Sequence, residues 1–132
     1  MLIPLLLVLW GCGKPSLRPV EIESTDMCSS CRMALSEARY AAEIVDRDEN
    51  VYKFDDIGCM LRFLREHKPQ GAAIYVRDYD GSGWLNARDA HYVRSEAIAS
   101  PMGGHTIGLK QELAAEEYAK RFHGVVLDWG RL

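Results

Sequence analysis

The chain has 132 residues, 16 basic and 19 acidic side chains, and a formal net charge of −3. That balance argues against nucleic acid as a partner, and about 120 residues after removal of a short leader is the usual size of one domain. Four cysteines and five methionines are the side chains with the most distinctive chemistry.

Met1 to Trp10 is an apolar run, too short to cross a bilayer, which takes about 20 residues. It reads as the core of a secretory signal peptide. The run ends Leu9-Trp10-Gly11-Cys12, a branched residue, a small residue and a cysteine in the spacing of a bacterial lipobox. The expectation is a signal peptide over residues 1–11, with Cys12 becoming the lipid-bearing N-terminus. The plainer alternative is a short buried strand with an incidental cysteine. Gly13-Lys14-Pro15-Ser16-Leu17-Arg18-Pro19 holds two prolines and a glycine, so residues 12–27 read as a lipid-anchored tether. The domain is then expected outside the cytoplasm, periplasmic or at the cell surface, as a membrane-anchored lipoprotein.

From Arg39 onward strands and helices alternate. Tyr40-Ala41-Ala42-Glu43-Ile44-Val45 is strand-like, Asp46 to Asn50 supplies a turn, and Val51-Tyr52-Lys53-Phe54 is a second short strand. Asp55-Asp56 offers a helix cap, and Ile57, Met60, Leu61 and Leu64 mark one apolar helical face. His67-Lys68-Pro69-Gln70-Gly71 ends that helix, and Ala72 to Val76 is another strand. The second half repeats the order in shorter form. Trp84-Leu85-Asn86 and His91-Tyr92-Val93 read as short strands, Ser100-Pro101-Met102-Gly103-Gly104 as a loop, and His105 to Leu109 as a strand. Ala115, Tyr118, Ala119 and Phe122 mark a second helical face, Gly124 caps it, and Val125-Val126-Leu127 follows as a strand. The fold class is therefore α+β, with two small related ββαβ-type units packed together in one compact chain. The first unit spans 28–80 and the second, shorter one spans 81–132. Tyr75, Tyr79 and Trp84 are expected to pack between them.

The run Cys28-Ser29-Ser30-Cys31-Arg32-Met33 brings two thiols and a thioether within six residues. Soft sulfur donors of both kinds suit Cu(I), whereas zinc sites use Cys, His and carboxylate. Two other readings stand beside copper. A thioredoxin-like pair needs a helix after the first cysteine to lower its pKa, and the segment here soon reaches a strand. A structural disulfide or a zinc ribbon is the third, although a ribbon calls for a second Cys-x-x-Cys. Met33 and Met102 are both candidate thioether ligands, with core packing, the commonest fate of methionine, as the alternative; Met102, between Pro101 and Gly103-Gly104, is the poorer core candidate. If the halves are related by an approximate twofold axis, the loops carrying Cys28, Cys31, Met33 and Met102 face one cleft. Cys59 is either a buried, inert thiol or a third thiolate. His105 is either a nitrogen ligand or a surface residue opening a strand. Asp55 and Asp56 read as helix caps, since hard carboxylates are poor Cu(I) ligands.

Taken in order, the Cys-x-x-Cys-x-Met run, Tyr52 to Met60, Tyr75-Val76-Arg77-Asp78-Tyr79 with Trp84, Ala90-His91-Tyr92-Val93 and Ser100-Pro101-Met102-Gly103 resemble the NosL family. These are lipoproteins that accompany nitrous-oxide reductase and are regarded as copper chaperones for its assembly. The resemblance implies a metallochaperone rather than an enzyme. Its cargo is Cu(I), and its partner is a copper enzyme or that enzyme's ABC-transporter assembly complex, with no small-molecule substrate. The competing class is a lipid-anchored thiol–disulfide oxidoreductase using Cys28 and Cys31.

Overall fold

The computed structural model describes residues 13–132; the apolar leader and Cys12 lie outside the described residues. Seven strands and two α-helices follow in the order β1 (Ala42–Val45), β2 (Val51–Phe54), α1 (Ile57–His67), β3 (Ala73–Arg77), β4 (Trp84–Asn86), β5 (His91–Arg94), β6 (Thr106–Leu109), α2 (Glu112–Phe122) and β7 (Val125–Leu127). Among the described residues no helix is long and apolar enough to cross a membrane.

Local chemistry explains the elements. The Asp46 carboxylate accepts hydrogen bonds from the Asp48 and Asn50 amides, each at 2.9 Å, and closes the β1–β2 hairpin. Asp56 is the N-cap of α1 and accepts from the Gly58 amide at 2.7 Å. Lys68, in the left-handed conformation at φ 45°, ends α1 just before Pro69. His123, at φ 52°, ends α2, so the left-handed residue is His123 and Gly124 comes one position later.

Two antiparallel sheets result, ordered β2-β1-β3-β4 and β6-β5-β7. Each sheet holds the same unit. Two strands form a hairpin, a helix follows, and the last strand returns beside the first, as β2-β1-β3 with α1 and as β6-β5-β7 with α2. β4 hydrogen-bonds to β3, so residues 84–86 extend the first sheet although they fall after residue 80. The second sheet is a middle layer. Val93, Ile107 and Leu109 pack with Ala115 of α2, while Tyr92 and Leu127 join the core of the first unit. The alternation follows from the period-two geometry of a strand.

The apolar face of α1 is rotated from the one its spacing predicts. Ile57, Cys59, Met60 and Phe63 are buried, and Leu61 and Leu64 pack only at the margin. The Phe63 ring meets Tyr52 at 4.9 Å and Phe54 at 5.2 Å, which draws the Cys59–Phe63 side inward. Tyr79 does pack between the units, against Tyr40 and Tyr118. Tyr75 and Trp84 do not: Tyr75 reaches the Leu17 carbonyl, and Trp84 lies under the Arg77 guanidinium.

The units also touch at Gly108. Asp78 bridges to it in parallel, and the Tyr79 amide donates to its carbonyl at 2.9 Å. A Cβ on Gly108 would lie 2.9 Å from Cγ2 of the buried Val76. Gly108→Ala is expected to destabilise the protein by about 1–3 kcal/mol through overpacking. Urea unfolding checks this as a lowered midpoint with an unchanged slope.

Candidate metal centre

Three segments build the centre. The chain turns tightly over residues 28–33, where the Cys28 amide donates to the Met33 carbonyl at 2.8 Å and the Arg32 amide to the Cys28 carbonyl at 2.9 Å. The Ser29 amide donates to the Lys53 carbonyl at 2.7 Å, which fixes this turn to the end of β2. β2 then runs directly into Asp55, and the first turn of α1 supplies Cys59. The ligand atoms of Cys28, Cys31, Asp55 and Cys59 all lie within 4.8 Å of one another. Among the described residues none of the three cysteines is in a disulfide. Cys28 and Cys59 are fully buried, and Cys31 is the partly exposed member through which the cluster meets solvent.

The electrostatics favour protonated thiols. The Cys31 thiol lies 3.6 Å from both oxygens of Asp55 and donates towards them. Its pKa is raised, chiefly by burial, although the Met33 backbone N–H bonded to its sulfur pulls the other way. Cys59 is raised further, again chiefly by burial, with Cys28 and Asp55 adding to it. An Arg62 guanidinium nitrogen 3.8 Å from the Cys59 sulfur does not offset that burial. No helix begins at Cys28 or Cys31, so the device that acidifies a redox thiol is missing from both. What the arrangement can do is hold a soft or borderline cation in a protected pocket, releasing protons as it does so.

The second loop comes to the same place by way of Asp56. One of its oxygens caps α1, and the other accepts the amides of Met102 at 3.0 Å and Gly104 at 3.2 Å. A Cβ on Gly104 would fall 2.0 Å from that carboxylate, so only glycine lets the loop settle on the helix start. Met102 is thereby held by its backbone against the residue next to Asp55, and it is exposed; Met33 is exposed as well. His105 lies apart from this grouping in its contacts. Its Nδ1 pairs with the Ile98 carbonyl at 2.9 Å, and its Nε2 sits 3.7 Å from Glu96.

The structure thus brings Cys28, Cys31 and Cys59 together and places the Met33 and Met102 segments around them. It adds Asp55, which sequence reasoning set aside as a helix cap. Asp56→Ala is expected to cost about 3 kcal/mol, from one cap and two further bonds to a charged acceptor. Asp56→Asn is expected to cost less, because its amide oxygen still accepts. Urea unfolding of the two variants measures both values.

The sequence matches the NosL family profile over residues 19–132. Among curated proteins, none matches the chain. The crystal structure of the copper chaperone NosL from Shewanella denitrificans is similar with a TM-score of 0.80 and 22% sequence identity, covering 89% of this chain and 97% of that one. At that identity the likeness establishes the fold.

Proposed function

The chain belongs to the NosL family, and on that premise we propose that it is a Cu(I)-binding metallochaperone, anchored by a lipid on Cys12 outside the cytoplasm. The observation that carries this reading is the grouping of three uncrosslinked thiols within 4.8 Å. The similar fold of a protein described as a copper chaperone supports it. The role is carriage rather than turnover. Cys28 and Cys31, with Met33 and Met102 at the rim, supply soft donors, and Cys59 stands as an inner thiol. The partly exposed Cys31 and the exposed methionines are where a ligand of the recipient would enter, so that the ion passes by exchange without becoming free. The recipient is a copper enzyme or its transporter-linked assembly complex, and nitrous-oxide reductase maturation is the client the family resemblance favours.

One observation favours a second reading. Three cysteines and a carboxylate match the ligand number and kind of a closed zinc site. Competition titrations of the reduced protein separate the two. About one Cu(I) per chain, held against a chromogenic chelator and much more tightly than Zn(II), is expected from the sulfur-rich donor set. Zinc retained as well as copper or better would overturn the copper reading. Asp55→Asn is expected to weaken zinc far more than copper. Met33→Leu and Met102→Leu are each expected to lower Cu(I) affinity while costing under about 1.5 kcal/mol in folding. The double variant should lose less than the sum of the two, because both act on one ligand sphere. Unchanged affinity in Met102→Leu would place the second loop outside the site.

The anchor has its own test. Mass spectrometry of the mature N-terminus is expected to find lipid on Cys12 and to lose it in Cys12→Ser. An unmodified start before Cys12 would remove the lipoprotein claim.

A further inference from the structure

The face of the first sheet turned away from α1 carries a polar row. Lys53, Glu43 and Tyr75 stand opposite one another on β2, β1 and β3. Residues 17–26, expected to be part of a free tether, instead run across this row. Tyr75 Oη donates to the Leu17 carbonyl at 2.5 Å, and the Val20 amide donates to Glu43 Oε1 at 2.7 Å. Lys53 Nζ donates to the Glu21 carbonyl at 3.0 Å and pairs with Asp26 at 2.5 Å. Arg77 reaches the Glu21 carboxylate at 3.3 Å. Ile22 adds an apolar contact to the core.

Glu43 is fully buried beneath this segment, and its second oxygen, Oε2, has no hydrogen-bond partner among the described residues. The charged groups around it are Lys53 on β2, Arg77 on β3, and Glu21 and Asp26 on the segment itself, with the Tyr75 phenol opposite. Both cations are engaged by Glu21 and Asp26, so among the described residues Glu43 has no ion-pair partner of its own. A carboxylate buried with an orphan oxygen is disfavoured in its charged form. Burial accordingly pushes the Glu43 carboxyl up to about 7, against a pull downward from the Val20 amide and Lys53.

We propose that residues 17–26 form a latch closed over Glu43, and that the segment lifts from the sheet more readily as pH rises through neutrality and Glu43 ionises. The burial of Glu43 depends on the segment lying over it, so lifting the segment returns the carboxyl to water. The closed state then holds the proton more tightly than the open one. Closure is strongest below the ordinary Glu range, weakens as pH climbs through about 7, and is level above that. Between an open-state value of 4.5 and a closed-state value of about 7, the closing equilibrium falls on the order of 300-fold. Ten lifted residues span at most roughly 35 Å. Under the anchored reading of the chain that adds reach between membrane and domain, but the latch does not rest on that reading or on copper.

Amide hydrogen exchange at Val20 in the full chain, followed by NMR from pH 5 to 8.5 and corrected for the intrinsic rate, reads the latch directly. Protection is expected to fall as pH rises from 5 and to level off above the Glu43 midpoint. Glu43→Gln keeps an acceptor for Val20 and cannot ionise, so its protection should be flat and should stay high at pH 8. Tyr75→Phe should lower protection at every pH without moving the pH at which it levels off. The Glu43 carboxyl titration, read by carbon-13 NMR in the unaltered protein, keeps the test open should Glu43→Gln misfold. A flat profile in the unaltered protein, a pH-dependent one in Glu43→Gln, or a Glu43 midpoint near 4.5 would each overturn the proposal.

Discussion

Asp56 is a fully buried carboxylate whose two oxygens serve three backbone amides from opposite halves of the chain. Such a group is stable in a protein interior only when its charge is met by donors in good geometry. Here the donors are the first turn of α1, with the favourable end of the helix dipole, and the loop over residues 102–104. The consequence is architectural. The start of α1 carries Asp55 just before the cap and Cys59 one turn after it, so whatever Asp56 fixes to the helix is fixed to the metal-binding cluster too. Two units that share a topology are joined at the start of α1 through this residue, and Gly104 is the side-chain-free position that permits the approach.

The cluster itself is a balance between burial and coordination. Without a bound cation, gathering three thiols and a carboxylate in a mostly buried space favours the protonated thiols, which is the direction found for Cys31 and Cys59. Thiols held this way are slow nucleophiles, since the thiolate is the reactive form. A cation reverses the balance because thiolates bound to it no longer stand as bare buried charges, and binding expels their protons. The same burial that slows Cys31 as a redox nucleophile would make the hold of these thiols on a cation depend on pH. The strained backbone beside them belongs to this geometry. Arg32, at φ 66°, occupies the left-handed region between Cys31 and Met33, a cost of about 1–2 kcal/mol that the tight turn around the thiols imposes.

Much of this was legible in the residues. The alternation of short β-rich runs with two amphipathic stretches predicted both helices and the order of strands, because local hydrophobic period and turn chemistry act over a few residues. The Cys-x-x-Cys-x-Met run marked the centre for the same reason. What the sequence hid was long-range. Cys59 looked like a bystander because the helix face was read from leucines, and the aromatic packing of Phe63 on Tyr52 and Phe54 that turns Cys59 inward is a tertiary effect. Asp55 and Asp56 looked interchangeable as caps; only the register of the incoming loop separates the one that caps from the one that faces Cys31. The loop carrying Met102 was expected across a cleft from the cysteines and is instead tied to the helix start by a hydrogen-bonded carboxylate.

The extent of the domain follows from a requirement on its first sheet. A sheet packed by one helix leaves its other face to be solvated or covered, and all four residues of β1 are buried, which means both faces are covered. One face meets the core beneath α1. The other, bearing Glu43, is covered by residues 17–26, whose prolines and charged side chains gave them the look of a linker. An extended segment with few apolar residues can cover a sheet only if the sheet offers polar partners, and Lys53, Tyr75 and Arg77 are those partners. The family match accordingly begins at residue 19, well before the first cysteine of the centre. Lys53 then joins covering segment to centre, with its ammonium on Glu21 and Asp26 and its carbonyl receiving the Ser29 amide beside Cys28. Through that one residue, the seating of the N-terminal segment and the seating of the first metal-binding turn share a physical support.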